Sequence, residues 1–365
     1  MSWICEKCGF TWRFHVDECV KCKVKAIEYL PTSYVVKGLT EVRNPSEGHY
    51  DVPYYVLLLE DENKRLSLRK SLKKFDIGSK FDENLNKVNL PKIGIIGTGV
   101  TAAGIAQTAL MSGCTVILKG RSISSLDNAM NRIRSALSKH VIHKKELDLM
   151  LSSIKSTQNI SDLAGVDIVI EAVIEDVNVK RDVFKDLEAV CSEDTVLATN
   201  TSSLSIDEIS GALNHPERVI GMHFFNPVPK MRLVEIVCGA KTDQKTIEYT
   251  RQAARSLQKT PVMVKNSPAF IVNRLLMTFL NEAVQMLENE LATKEDIDNA
   301  VELGLKHPIG PFKLMDLIGI DVFNKIMDTL HEAMPNKYKL SDLLEEMERK
   351  ALLGRKTGKG FYTYS

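Results

Sequence analysis

A short apolar run, Ile93-Gly94-Ile95-Ile96, passes directly into Gly97-Thr98-Gly99-Val100-Thr101-Ala102 and then into a helical pattern. Few features restrict a chain more. A buried strand that turns through two glycines into a helix opens a βαβ unit. Gly97 permits the tight turn, and Gly99 lets a ligand approach the backbone. Ala102 is small enough for the helix to lie on the strand. The helix start offers unpaired N–H groups and positive dipole to an anion, and this spacing suits a pyrophosphate. Gly97, Gly99, Val100 and Thr101 are the candidate contacts.

The surrounding texture agrees. Strand-length apolar runs at 92–96, 115–119, 167–173, 195–199 and 218–224 alternate with helical stretches. That alternation predicts a parallel, doubly wound α/β sheet covered by helices. From about residue 267 the strands stop. Phe270 to Glu288 is amphipathic, and Thr293-Lys294-Glu295-Asp296 starts another helix as a capping box. Residues 92–266 are therefore expected to form the dinucleotide-binding domain and 267–365 an all-α domain. Upstream, residues 1–30 are Cys-rich. Ser33–Gly38, Tyr54–Leu59 and Arg65–Arg69 have strand character, with a hairpin turn at 60–64. A small β-barrel over 31–81 and a polar linker over 82–91 follow.

The formal net charge is +1, so no global field argues for nucleic acid or an anionic membrane. No apolar run approaches bilayer length, and the N-terminus lacks the pattern of a signal peptide. A cytoplasmic location is expected. In a reducing compartment, four of the seven Cys clustered in the first 22 residues favour metal over disulfides. Cys5-x-x-Cys8 and Cys19-x-x-Cys22 form two thiolate knuckles suited to a closed, tetrahedral, structural zinc site. An iron centre is the smaller alternative. His15 is not needed as a ligand. Cys114, Cys191 and Cys238 read as core residues.

In NAD binders an acidic residue after the second strand takes the ribose hydroxyls. Here Val116-Ile117-Leu118 runs into Lys119-Gly120-Arg121-Ser122, so Gly120 stands at that place. No carboxylate is there to repel a 2′-phosphate, and Arg121 and Ser122 suit one. The expectation leans to NADP over NAD.

Four further segments line up: Asn200-Thr201-Ser202-Ser203, His223-Phe224-Phe225-Asn226-Pro227, Leu233-Val234-Glu235-Ile236-Val237 and Phe270-Ile271-Val272-Asn273-Arg274. With Pro308-Ile309-Gly310-Pro311-Phe312 and the terminal Gly354–Tyr362 run, residues 91–365 closely resemble the 3-hydroxyacyl-CoA dehydrogenase family. The resemblance implies a Rossmann domain followed by a helical domain, and an acyl-CoA substrate. His223 suits proton transfer because histidine is the side chain that ordinarily gains and loses a proton near neutral pH. Glu235 would bond its far nitrogen and fix the tautomer. By family likeness Ser202 and Asn273 hold the substrate oxygen, and Asn226 places the His and the nicotinamide. Ala172, Glu175, Lys180 and Lys356 match family positions near the cofactor. CoA contacts fall within 134–145, with Ser135, Ser138, Lys139 and Lys144 as candidates.

Departures accompany the likeness. Gly120 replaces the acid, and Ala102 stands for the third glycine. Residues 1–80 resemble the zinc-ribbon-plus-OB modules found beside thiolases and acyl-CoA synthases. That implies docking of a thiolase-like partner or binding of CoA. RNA binding through Lys64, Arg65, Arg69, Lys70, Lys73 and Lys74 is the rival. The family pairs subunits through its C-terminal helices, so a homodimer is expected. A gulonate-type hydroxy-acid dehydrogenase and a non-catalytic scaffold are the alternative functions.

Overall fold

The computed structural model describes residues 2–4, 11–12, 27–29, 34–42, 54–61, 64, 66–71, 76–81, 90–139 and 144–364. The chain divides into two compact units, Met1–Asn89 and Leu90–Ser365.

In the first unit, β1 (Ser2–Ile4), β2 (Thr11–Trp12) and β3 (Ile27–Tyr29) form an antiparallel sheet in the order β2-β1-β3. Cys5, Cys8, Cys19 and Cys22 lie outside the described residues. A second antiparallel sheet, ordered β6-β5-β4-β7, contains β4 (Tyr34–Val42), β5 (Tyr54–Asp61), β6 (Leu66–Ser71) and β7 (Lys80–Phe81). Tyr34, Val36, Leu57 and Leu59 make its small core. The sequence predicts a small barrel over 31–81; among the described residues, β6 and β7 stand at the two ends of this strand order.

The second unit is built on eight strands: β8 (Ile93–Ile96), β9 (Val116–Lys119), β10 (Ile154–Thr157), β11 (Ile168–Glu171), β12 (Val196–Thr199), β13 (Val219–Phe224), β14 (Leu233–Cys238) and β15 (Thr260–Lys265). Their order is β10-β9-β8-β11-β12-β13-β14-β15. β8, β11, β12 and β13 are buried throughout, as strands covered on both faces must be. Helices α1 (Val100–Met111), α2 (Ile123–Leu137), α3 (Lys144–Ser152), α4 (Val177–Val190), α5 (Ile206–Ser210) and α6 (Gln244–Ser256) alternate with the strands. The first six strands of the order run parallel.

The five runs read as strands from the sequence are parallel as expected, and beyond them the sheet continues with β14, which pairs antiparallel with β13 and carries β15 alongside it in the reversed direction. The cause is local. A parallel return needs a crossover of a dozen or more residues. The link from Phe224 to Leu233 is a tight turn, closed by Pro227 O accepting the N–H groups of Lys230 and Met231 at 2.9 and 3.0 Å.

Five helices complete the unit: α7 (Val272–Glu288), α8 (Lys294–Gly304), α9 (Pro311–Ile318), α10 (Ile320–Ala333) and α11 (Asp342–Arg349). They share a separate apolar core centred on Met277, Leu280, Phe312, Phe323 and Met327. Asp316, 1% exposed, fastens the chain end to this core. It accepts from the N–H groups of Phe361 and Tyr362 and from the Tyr364 hydroxyl, each at 2.9 Å. A Cβ at Gly360 would lie 1.9 Å from Asp316 Oδ1. Much of the terminal glycine-rich run is thus a wrap around a buried carboxylate. No helix among the described residues is long and apolar enough to cross a membrane.

Candidate active site

The strand order reverses between β8 and β11, and open α/β sheets bind ligands at such a point, beyond the carboxyl ends of the strands. The glycine turn follows β8 there. Gly97 has φ +125°, and a Cβ on it would sit 2.3 Å from Ala172 O in the loop after β11. A Cβ on Gly99 would meet nothing within 4 Å, so that position faces open space. Helix α1 starts at Gly99 without a side-chain cap and without an acidic residue in its first turn. Its first N–H groups have no intrahelical partner and remain available to an anion.

A cleft of about 430 Å³ opens on this turn. Of the predicted cofactor contacts, Gly97, Gly99, Val100, Thr101, Arg121 and Ala172 line it. Ser122 does not: it caps α2, accepting from Ser125 N–H at 3.2 Å. Lys180 does not either. Its ammonium is buried and bonds both Glu171 oxygens, at 2.8 and 3.0 Å, with Glu175 at 3.3 Å. Lys356 sits in the helical region, paired with Asp321. Sequence reasoning missed Thr98, Ile174 and Val179, which also line the cleft. Ile174 is an apolar side chain 61% exposed, which nothing in the local sequence announces.

His223 lies near the carboxyl end of β13, three strands from β8 in the parallel part of the sheet, so it stands on the same sheet edge as the turn. It is the register partner of Glu235 across the antiparallel pair, and His223 Nδ1 lies 2.7 Å from Glu235 Oε2. Glu235 is 1% exposed, which rules out a surface-facing position. Its other oxygen accepts the N–H groups of Ile271 and Val272, each at 3.0 Å, at the start of α7. Burial by itself would raise the Glu235 pKa. The His223 bond, the Val272 and Ile271 N–H groups and the His223 charge outweigh it and hold the carboxyl below its ordinary value. The imidazole packs against Phe225 and Phe270, with ring centroids 4.4 and 5.8 Å away. Its Nε2 has no partner among the described residues, so one nitrogen is braced and the other is free.

Ser202 and Asn273 come together, with Asn273 Nδ2 donating to Ser202 O at 3.2 Å. Glu175 Oε1 collects the Ser202 N–H at 2.7 Å, the Ser202 hydroxyl at 3.0 Å and the Thr201 hydroxyl at 2.6 Å. Burial pushes Glu175 up, but Lys180 and these donors leave it below its ordinary value. Asn200 Oδ1 accepts the Phe224 N–H at 2.8 Å, tying the loop after β12 to the strand that bears His223. Asn226 faces α1 instead, its Nδ2 donating to Thr101 Oγ1 at 3.1 Å. Glu171, which sequence reasoning passed over, anchors the arrangement as the one acid in an otherwise apolar strand.

The comparisons with known proteins agree with this geometry. Residues 92–267 match the NAD binding domain of 3-hydroxyacyl-CoA dehydrogenase, and residues 270–364 match its C-terminal domain. The chain belongs to the 3-hydroxyacyl-CoA dehydrogenase family. A 3-hydroxybutyryl-CoA dehydrogenase of Clostridioides difficile is 46% identical over 279 residues, spanning 75% of this chain and 99% of that protein. The human mitochondrial hydroxyacyl-coenzyme A dehydrogenase is 37% identical over 310 residues, spanning 81% and 98%. A crystal structure of (S)-3-hydroxybutyryl-CoA dehydrogenase from Ralstonia eutropha superposes with a TM-score of 0.73 at 37% identity, spanning 76% and 99%. The gulonate-type and scaffold alternatives are set aside. This dehydrogenase is an oxidoreductase with an NAD-binding domain, and residues 1–91 lie outside both family domains.

Position 120, where the sequence reading expects an acid, is tightly packed. A Cβ there would approach Leu126 Cγ to 2.7 Å and Thr98 Cγ2 to 2.8 Å. The missing acid is therefore matched by close packing of α2 and the glycine turn. A second cleft, of about 360 Å³, lies between α1, α2 and the 226–230 turn. Arg132, Lys139 and Lys230 line it without any carboxylate, and Val100 is shared with the first cleft.

Proposed function

We propose that this protein interconverts a short-chain 3-hydroxyacyl-CoA and the corresponding 3-oxoacyl-CoA. The observation that carries the reading is the 2.7 Å His223–Glu235 pair on the sheet edge that also bears the glycine turn. The residues of the first cleft fit a dinucleotide, because a bare helix start and Gly99 leave room for phosphates. The nicotinamide, when bound, supplies the two-electron chemistry.

The chain's own groups handle the proton. His223 Nε2 takes the hydroxyl proton as the alcohol becomes a ketone and returns it in the reverse direction. Glu235 holds Nδ1–H, fixes the tautomer and stabilises the imidazolium. Ser202 and Asn273 hold the substrate oxygen, and Asn226 orients groups between the two clefts. The three cations of the second cleft suit the CoA phosphates.

NADP is the proposed partner of choice. The absence of a carboxylate at Gly120 and the presence of Arg121 on the cleft support it. A zinc ribbon is proposed at the N-terminus. Four thiols make a suitable donor set, and β1 leads into Cys5 while β2 and β3 follow the knuckles. With the second small sheet it forms the ribbon-plus-OB module that binds CoA or a thiolase-like partner. A homodimer through the C-terminal helices is supported by the exposed Leu275, Leu303 and Leu317.

The deciding experiment follows reduced-nicotinamide absorbance with acetoacetyl-CoA and each reduced cofactor, on wild type and His223→Gln. Turnover by wild type and its loss in the variant are expected. Equal rates for the two would overturn the reading. An Arg121→Ala variant with an unchanged cofactor preference would overturn the NADP part.

A further inference from the structure

Lys259 is 5% exposed, yet no carboxylate lies within ion-pair distance of it among the described residues. It follows α6 and precedes β15. Its side chain runs beneath the turn that joins the His223 strand to the Glu235 strand. There Nζ donates to Val228 O and to Met231 O, the latter at 2.8 Å. A buried ammonium without a counter-ion is costly unless its hydrogen bonds are met, so these carbonyls and the cation hold each other in place. Burial, reinforced by the Arg232 charge, lowers its pKa to about 8, as such a setting requires.

The turn it holds bounds the second cleft and not the first. Asn226, Pro227, Val228, Pro229 and Lys230 form one wall of the basic cleft. Val228 presses on α1 so closely that a Cβ at Gly104 would sit 3.0 Å from it. Asn226 reaches Thr101 in the first turn of α1. The segment is thus clamped between α1 above and an ammonium below.

We infer that Lys259 is a positioning residue for substrate binding: its ammonium sets the height of the 226–231 turn, and through that turn the width of the cleft that receives the acyl-CoA. The inference rests on the reading of that cleft given above. Lys259 touches no substrate atom in this account. Its loss therefore weakens acyl-CoA binding while leaving the glycine turn and the His223–Glu235 pair in place.

The test compares wild type, Lys259→Met and Lys259→Arg in steady-state reduction of acetoacetyl-CoA, with cofactor affinity read separately by nucleotide fluorescence. Lys259→Met is expected to raise KM for acetoacetyl-CoA about tenfold, with kcat and cofactor affinity within about twofold of wild type. Lys259→Arg restores most of the difference, since it keeps charge and donors. Should the Met variant not fold, Lys259→Gln, which keeps one donor and drops the charge, takes its place and should raise KM in the same selective way. An unchanged KM in the variants overturns the inference, as does a loss shared equally by kcat and cofactor affinity. If wild type itself does not reduce acetoacetyl-CoA, the failure lies with the proposed function and not with Lys259.

Discussion

His223 and Glu235 stand directly opposite each other on antiparallel strands, and their side chains meet at 2.7 Å. Neither residue owes its position to a loop. The register of two buried strands fixes both Cα atoms, so the imidazole and the carboxylate are preorganised before any ligand arrives. Removing the carboxylate charge while keeping the shape isolates its role. Glu235→Gln is expected to lower kcat by on the order of 100-fold or more, with cofactor affinity retained, because the amide no longer stabilises the imidazolium. Single-turnover kinetics with acetoacetyl-CoA provide the measurement, and a rate within a few-fold of wild type would contradict it.

Acid stability follows from the same carboxylate. The folded state holds Glu235 and Glu175 below their ordinary values. A depressed folded pKa stabilises the folded protein above the unfolded value, about 4.3 for Glu. That contribution is lost as pH falls through the lower folded value. Wild type should therefore lose more Tm than Glu235→Gln between about pH 6 and about pH 3. Parallel Tm curves for the two proteins would refute this.

The packing at Gly120 predicts an asymmetric result. Gly120→Asp restores an acid for ribose hydroxyls but drives a Cβ to 2.7 Å from Leu126. Overpacking of this kind costs about 1–3 kcal/mol. Adding Leu126→Ala should recover part of the stability and shift preference towards NAD. Denaturant melts and cofactor titrations of the single and double variants check both halves.

Lys180 lies between two carboxylates at the floor of the site. Lys180→Met leaves Glu171 buried without its cation, and breaking such a pair costs about 3–5 kcal/mol. A urea melt should show the loss. Stability equal to wild type would refute this.

Much of this was legible because it is local. The glycine turn, the sheet edge and the apolar alternation are written in short windows of sequence. What escaped depends on distant segments meeting. Nothing near Glu235 says that its strand reverses direction, and nothing near Gly120 says that Leu126 and Thr98 close over it. Lys180 reads as a cofactor contact and turns out to be a buried counter-ion, because its partner Glu171 sits at the end of an apolar strand. Lys259 and Asp316 carry no local motif, yet both bond backbone that arrives from far along the chain. The two knuckles of the N-terminal module lie outside the described residues.

The support of Glu235 by Ile271 and Val272 has a consequence for how such chains diverge. The donors are main-chain amides, so any residue other than proline that keeps the path into α7 will serve equally well there. Selection on this brace would act on the trajectory from Ala269 to Val272 and leave the letters at 271 and 272 free to drift. A chimera that grafts a foreign helical half onto this sheet should succeed or fail on how the chain enters that helix, whatever residues it brings.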